Sequence, residues 1–311
     1  MGLSLAITAD LHWGHRRGED ATRQLVAFLH ERPPDVLVLA GDIGTGPLFG
    51  ECLALFSDLP CRKALVPGNH DLWVPPDDAS VDSLQMYQRE LPGMAARAGF
   101  HFLDSGALLF PEAGVTLVGS INWYDYSWAQ AGLRERYPEE EHRLQSKRFP
   151  RGTHNDANYV RWKLDDPGFT ARVVAALERQ VDEALGTVQR AIVVTHHPPF
   201  YGLGFARPPS PYPLPPAPGG EGRLRGAAPP VELESFLWDA FCGNQAMENV
   251  LARRADRIAF AFCGHTHRQR ENTLGAIRGY NIGGDYHYKR LLRIDWPAGT
   301  VAAHQFGLPV E

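Results

Sequence analysis

Short apolar runs separated by longer amphipathic stretches constrain this 311-residue chain more than any other feature of its sequence. Over the first 66 residues the two kinds of segment alternate, with apolar runs at 3–9, 36–40 and 64–66 and helical spacing of apolar residues over 20–31 and 48–59. Runs this short suit strands covered on both faces, and the β-α-β-α-β order requires parallel strands joined by crossover helices. Further strand candidates fall at 116–119, 191–195, 258–263, 276–282, 291–294 and 301–305, the last three with no helix between them. That change to consecutive strands predicts a hairpin or meander at the C-terminal end, and with it two packed sheets with helices outside. A helix is expected over 168–185, where Asp166 is placed to cap, Pro167 suits the first turn, Val173, Leu177 and Val181 recur at i+4, and Gly186 suits the stop.

Composition excludes several alternatives. With 44% hydrophobic and 22% charged residues the chain is neither disordered nor fibrous. Its 31 Lys and Arg against 36 Asp and Glu give a net charge of -5, which lacks the footprint of a nucleic-acid binder. No window is long and apolar enough to span a membrane, and the first residues do not resemble a signal peptide, so a soluble cytoplasmic protein is expected. Cys52, Cys61, Cys242 and Cys263 form no CxxC pair and are expected to be reduced. One domain is expected over 1–311, carrying two insertions. The first, 123–166, begins with Trp123, Tyr124, Tyr126 and Trp128 and continues with Arg134, Arg136, Arg143, Lys147, Arg148 and Arg151 interleaved with Glu135 and Glu139 to Glu141. Its rings suit either a stacking surface for a base or planar group or the small core of a lid. Its charges suit either rim contacts to phosphate or a solvated helix face. The second, 198–230, holds 11 of the chain's 25 prolines and can form neither a central strand nor a helix. Both are expected to be lids, binding loops or disordered segments.

Side chains able to bind metal cluster just past the predicted strands. Asp10 and His12 follow the first, Asp42 lies in AGDIG after the second, and Asn69, His70 and Asp71 lie in PGNHD after the third. His196 follows 191–195, with His197 beside it, and His265 and His267 lie in CGHTH after 258–263. Each segment alone is a common turn, since Asp hydrogen-bonds local backbone and Gly supplies positive φ. Strand carboxyl ends converge on one crevice in α/β sheets, so five such segments together describe a site.

In this order the segments resemble the signature of the calcineurin-like metallophosphoesterases: DxH, GD, GNHD, H and GHxH. The resemblance implies an α/β fold, a four-layer αββα sandwich of two mixed sheets flanked by helices. It implies two divalent or mixed-valence metal ions, one held by Asp10, His12, Asp42 and His267, the other by Asp42, Asn69, His196 and His265. Imidazole and carboxylate ligands suit Mn, Fe or Zn. The implied reaction is hydrolysis of a phosphomonoester, phosphodiester or nucleotide by in-line attack of a metal-bridging hydroxide. His70 is the implied acid for the leaving oxygen, oriented by Asp71, or else a stabiliser of transition-state charge. Substrate contacts are expected from Trp123, Tyr124, Tyr126, Trp128 and His197, and Cys263 is expected in the core. The partner is then a small phosphorylated substrate, with neither membrane nor nucleic acid. Two other enzymes on the same fold fit the motifs, a nuclease or a protein phosphatase, as does a catalytically silent metal-binding scaffold. The nuclease would need a basic groove, and the complete ligand set with His70 argues against the scaffold.

Overall fold

A computed structural model describes residues 2–75, 82–150, 152–205 and 231–307. The expected proline-rich loop therefore lies outside the described residues from 206 onward, as does Arg151. In chain order the strands are β1 (Leu3–Thr8), β2 (Val36–Ala40), β3 (Arg62–Val66), β4 (Phe100–Phe102), β5 (Leu108–Phe110), β6 (Val115–Ser120), β7 (Arg148–Phe149), β8 (Gly152–Thr153), β9 (Arg190–Thr195), β10 (Ile258–Cys263), β11 (Arg270–Leu274), β12 (Ile277–Asn281), β13 (Lys289–Trp296) and β14 (Thr300–Phe306). They form two six-stranded sheets, ordered β14-β13-β1-β2-β3-β4 and β11-β12-β10-β9-β6-β5, and a separate β7-β8 hairpin. The pairs among β1 to β4 and along β6-β9-β10-β12 are parallel, whereas β13, β14, β5 and β11 join antiparallel at the flanks.

Alternation along each strand builds the layers. Leu5, Ile7, Val36 and Val38 face Ile192, Val194, Phe260 and Phe262 between the sheets. The opposite faces of β1 to β3 present Ala6, Leu37, Leu39 and Leu65 to Leu25 and Leu29 of the helix Arg16–Glu31. On the far side, Val118, Val193 and Ala261 meet Val174, Leu177 and Val181 of the helix Asp166–Leu185 and Met247, Val250 and Leu251 of Gln245–Ala252. Two mixed sheets flanked by helices make this the four-layer α/β sandwich. No helix among the described residues is long and apolar enough to cross a membrane. All four cysteines are free thiols, and Cys263 is buried in the outer core as expected.

Several expectations change in detail. β4 and β5 are three residues each, too short for a period to show, and the edge strand β11 is exposed and polar. The helix expected over 48–59 is Pro47–Ala54, followed by turns. The long helix starts at Asp166, and its cap is Asp165, whose carboxylate accepts from Gly168 N at 2.8 Å. Asp166 points elsewhere: it accepts from Trp123 Nε1 at 2.9 Å and from Tyr126 OH, and pairs with Lys147 at 2.9 Å.

That network corrects the idea of a stacking surface. Trp123 and Tyr124 are 0% exposed, stacked on each other at 4.8 Å, with Trp162 and Phe169 edge-on to Trp123. Tyr126 is buried too, and Trp128 is half-buried against Tyr201. Trp123, Tyr124 and Tyr126 leave no face for a substrate, because enclosed rings are core, and Trp128 does not line the cavity described below. Part of the charged stretch pairs internally, Arg134 with Glu141 at 2.7 Å and Arg143 with Glu140. Trp123→Ala should therefore destabilise the protein by about 3–5 kcal/mol in denaturant unfolding, and a loss under about 1 kcal/mol would contradict a core role.

Candidate metal centre

The turns after β1, β2, β3, β9 and β10 emerge at one end of the sheets and are tied to one another. Asp10 N donates to Gly41 O at 3.0 Å, His12 N to Asp42 O at 2.8 Å, and Gly264 N to His196 O at 3.1 Å. Side chains join in, as His70 N donates to Asp42 Oδ1 and His265 N to Asp10 Oδ1, each at 3.0 Å. Asp10, His12, Asp42, His265 and His267 all have positive φ, from 43° to 72°. Non-glycine residues rarely adopt that region, and finding five together marks a functional turn cluster. Two motif glycines have a steric reason. A Cβ on Gly68 would lie 2.1 Å from Asp42 Oδ1, and one on Gly41, at φ +86°, 2.4 Å from His196 Nδ1.

Seven of the expected side chains meet in two adjoining groups. In the first, His12 Nε2 lies 3.0 Å from His267 Nε2 and 3.6 Å from Asp42 Oδ2, and His267 Nε2 lies 3.8 Å from Asp10 Oδ1. In the second, Asn69 Oδ1 lies 3.1 Å from His196 Nε2 and 3.2 Å from His265 Nδ1, with Asp42 Oδ1 3.3 Å from His196 Nε2. Asp42 thus faces both groups. Backbone carbonyls set the ring tautomers: His196 Nδ1 donates to Ala40 O at 3.0 Å and His265 Nε2 to Phe241 O at 3.2 Å. Each leaves its other nitrogen facing Asn69, the arrangement by which a histidine presents a lone pair to a metal.

Charge supports the same chemistry. Burial holds the pKa of His12 and His265 well below the usual value, against the pull of Asp42, so both rings are neutral. Burial also opposes charge on Asp42 and His196, but their mutual attraction outweighs it, lowering the carboxyl and raising the imidazole to about 9. Asp10 Oδ2 is buried and makes no hydrogen bond. An unpartnered carboxylate oxygen beside two ring nitrogens 3.0 Å apart fits a cation better than it fits any protein donor.

Of His70 and Asp71, it is Asp71 that departs from expectation. The His70 ring stacks on Trp73 at 3.6 Å, with Nε2 3.8 Å from Asp42 Oδ2, and faces a cavity of about 910 Å³. Burial lowers its pKa despite Asp42 and Asp156 nearby. Asp71 does not orient it. Its carboxylate accepts instead from Ile43 N and Gly44 N at 2.9 Å each and from Gly68 N at 2.8 Å, clamping the Asp42 and Asn69 loops together. Nor does His197 face the cavity, since it is 0% exposed and its Nδ1 donates to Ile121 O at 3.3 Å. The cavity walls are Trp73, Phe149, Phe241, Trp238 and Tyr286, with Thr153, His154 and Asn155. None of them is singled out as a site residue from the sequence, although Phe149, Thr153, His154 and Asn155 fall in the segment expected to be a lid or binding loop. For Trp73, two residues past PGNHD, and Tyr286 in GGDYHY, the sequence hint is an aromatic ring beside a strand end.

With this geometry in place, comparison with known proteins is decisive at the family level. The family model for calcineurin-like phosphoesterases matches residues 3–269. The chain belongs to the calcineurin-like phosphoesterase family. It is a hydrolase of phosphate esters, in a family that depends on two metals. Its fold is similar to that of a phosphopantetheinyl hydrolase from Mycobacterium tuberculosis, at 20% identity over 91% of this chain and 90% of that one, with a TM-score of 0.63. A dimetal phosphatase from Danio rerio is similar at 13% identity over 99% of both chains, TM-score 0.56. The protein TT1561 of Thermus thermophilus follows at 12% identity over 98% and 99%, TM-score 0.54. No curated protein matches the sequence. For a calcineurin-like phosphoesterase with this arrangement, Asp42→Asn should deplete both metals in elemental analysis; a variant that kept two ions per chain would show that Asp42 is not shared.

Proposed function

We propose that this phosphoesterase holds two divalent cations, of Mn, Fe or Zn, and hydrolyses a small organic phosphoester. Asp10, His12, Asp42 and His267 would hold one ion, and Asp42, Asn69, His196 and His265 the other. The observation that carries this reading is the placement of Asp42, buried between two groups of nitrogens and oxygens that both face it. When bound, such a pair of ions lowers the pKa of water and neutralises phosphoryl charge. The chain itself supplies the rest. The turn cluster holds its ligands on rigid strand ends, Tyr286 stacks on His12 at 4.3 Å and closes one side, and Trp73 keeps the His70 ring at the cavity edge. From there an N–H of His70 can reach the oxygen that leaves, the role of a general acid.

The cavity supports a small organic leaving group over a polymer. Metal-binding side chains form one end, while Phe149, Phe241 and Trp238 form an apolar wall. Arg268 is the single Lys or Arg lining it among the described residues, which disfavours a nuclease groove that must track several phosphates. Trp238, 45% exposed, offers a face to an apolar or planar substituent.

His70→Ala should keep both metals and lower kcat by about 10²–10⁴-fold for alkoxide leaving groups, with a much smaller loss for nitrophenolate. Because the acid form is lost above the pKa, the wild-type rate with an alkoxide should fall as pH rises through a value below the usual 6.5. That limb should vanish in His70→Ala. Equal losses for both leaving groups would exclude His70 as the acid. Trp238→Ala should raise KM several-fold for an aryl phosphate and leave methyl phosphate unchanged in steady-state kinetics; parallel changes would exclude the apolar wall as a substrate contact.

A further inference from the structure

Asp156, far from every motif, sits directly behind the centre. It opens a short helical turn, Asp156–Tyr159, within the inserted segment, and it is 0% exposed. Its Oδ1 lies 2.8 Å from Trp73 Nε1 and 2.9 Å from Asn69 Nδ2, while Oδ2 accepts from Tyr124 OH at 2.8 Å. The indole N–H only donates, so Oδ1 is an acceptor, and the group it meets on Asn69 must be the NH₂. The Asn69 oxygen is then obliged to face the other way. There it meets His196 Nε2 and His265 Nδ1 at 3.1 and 3.2 Å. The same turn grips the Trp73 segment twice more: Val74 N donates to Tyr159 O at 3.0 Å, and the Tyr159 ring stacks on Trp73 at 5.0 Å, as the His70 ring does at 3.6 Å.

We propose that Asp156 is a positioning residue for the second cation and for His70: it fixes the Asn69 amide with its oxygen toward His196 and His265, and holds Trp73 flat against the His70 ring. The inserted segment is on this view a component of the hydrolytic centre and not a detachable lid, with Tyr124 of the same segment holding Asp156 from behind. An amide oxygen is a weak ligand whose orientation decides whether it binds at all, so a partner that excludes the flipped amide acts on affinity at that site alone. The inference rests on the two-cation reading above.

Mn²⁺ binding to the full-length protein, by calorimetry and by elemental analysis after desalting, tests it. Wild type should bind two ions. Asp156→Ala should weaken the second by about 10–100-fold, the usual cost of removing such a supporting group, and leave the first within about twofold. Asp156→Asn keeps an acceptor but loses its charge, so its second-ion affinity should fall by about threefold to tenfold. A folded Asp156→Ala protein that binds both ions like the wild type would overturn the proposal, as would equal weakening of both sites with a lowered Tm. If Asp156→Ala does not fold, Asp156→Asn decides: weakening confined to one site supports the role, and unchanged affinity overturns it. A wild type that binds fewer than two ions would sink the two-cation reading and this one with it, whereas two ions in both proteins, bound equally well, would sink this one alone.

Discussion

The buried carboxylate of Asp42 is the constraint on which the rest of the centre depends. It lies at the end of β2, in the sheet formed by β1 to β4 with β13 and β14, yet its Oδ1 is 3.3 Å from His196, which follows β9 in the other sheet. Its Oδ2 faces His12 and His70. A carboxylate taken fully out of water is costly unless charge and hydrogen bonds surround it. Here the surroundings come from separate turns of both sheets, so the cost is met only when the sheets are docked. The raised pKa of His196 expresses the same balance, since its positive charge is placed to offset Asp42. On the two-cation reading, a divalent cation would take over that task and displace the proton, so its binding would strengthen as pH rises toward about 9.

Holding these groups together costs backbone strain. Five ligand candidates occupy the left-handed region, at roughly 1–2 kcal/mol each for a non-glycine residue. The hydrogen bonds between turns and the Asp71 clamp on Ile43, Gly44 and Gly68 keep that conformation in place. Asp71 is thus as integral as the ligand candidates although it does not line the cavity. Burial and Asp42 push its pKa up to about 7, against the pull of the three N–H donors. The folded chain therefore keeps a proton that the unfolded chain releases near pH 4, and this group's share of the stability declines as pH rises from there toward about 7. The parallel strands beneath, buried on both faces, supply the rigidity that makes such strain sustainable.

What can be seen in the sequence follows from how local each signal is. The strand-end motifs are legible because each is a short run, an apolar strand with a ligand candidate within two or three residues, and in AGDIG, PGNHD and CGHTH a glycine that permits close approach lies between them. The two-sheet architecture follows from runs such as VLVLA and IAFAFC, whose length and apolarity leave few other options. β4, β5 and β11 escape because a three-residue strand, or a mostly polar one at an edge, carries no period. The neighbouring acids Asp165 and Asp166 look alike in sequence, and only the path of the chain decides that one caps the helix while the other accepts from Trp123 and Tyr126. Asp71 misleads for a related reason. Adjacency in GNHD suggests a partner for His70, whereas the 3₁₀ turn His70–Leu72 directs the two side chains apart.

The segment from 123 to 166 shows where composition stops being informative. Aromatic rings beside charged residues are equally compatible with a binding surface, a lid and a core, because all three reward the same side chains. What separates them is which polar atoms the rings satisfy. Trp123 and Tyr126 donate to Asp166 at the start of the long helix, and Tyr124 donates to Asp156 behind Asn69. The rings therefore link the outer helix layer to the hydrolytic centre through two buried carboxylates. Such carboxylates tolerate little change, since removing one strands several donors at once. The freedom to adapt to different substrates is left to positions that line the cavity without holding it, such as Phe149, Thr153, Asn155 and Trp238. On the proposed function, substrate choice would fall to Phe149, Thr153, Asn155 and Trp238, whereas Asp156 of the same inserted segment supports Asn69 from behind.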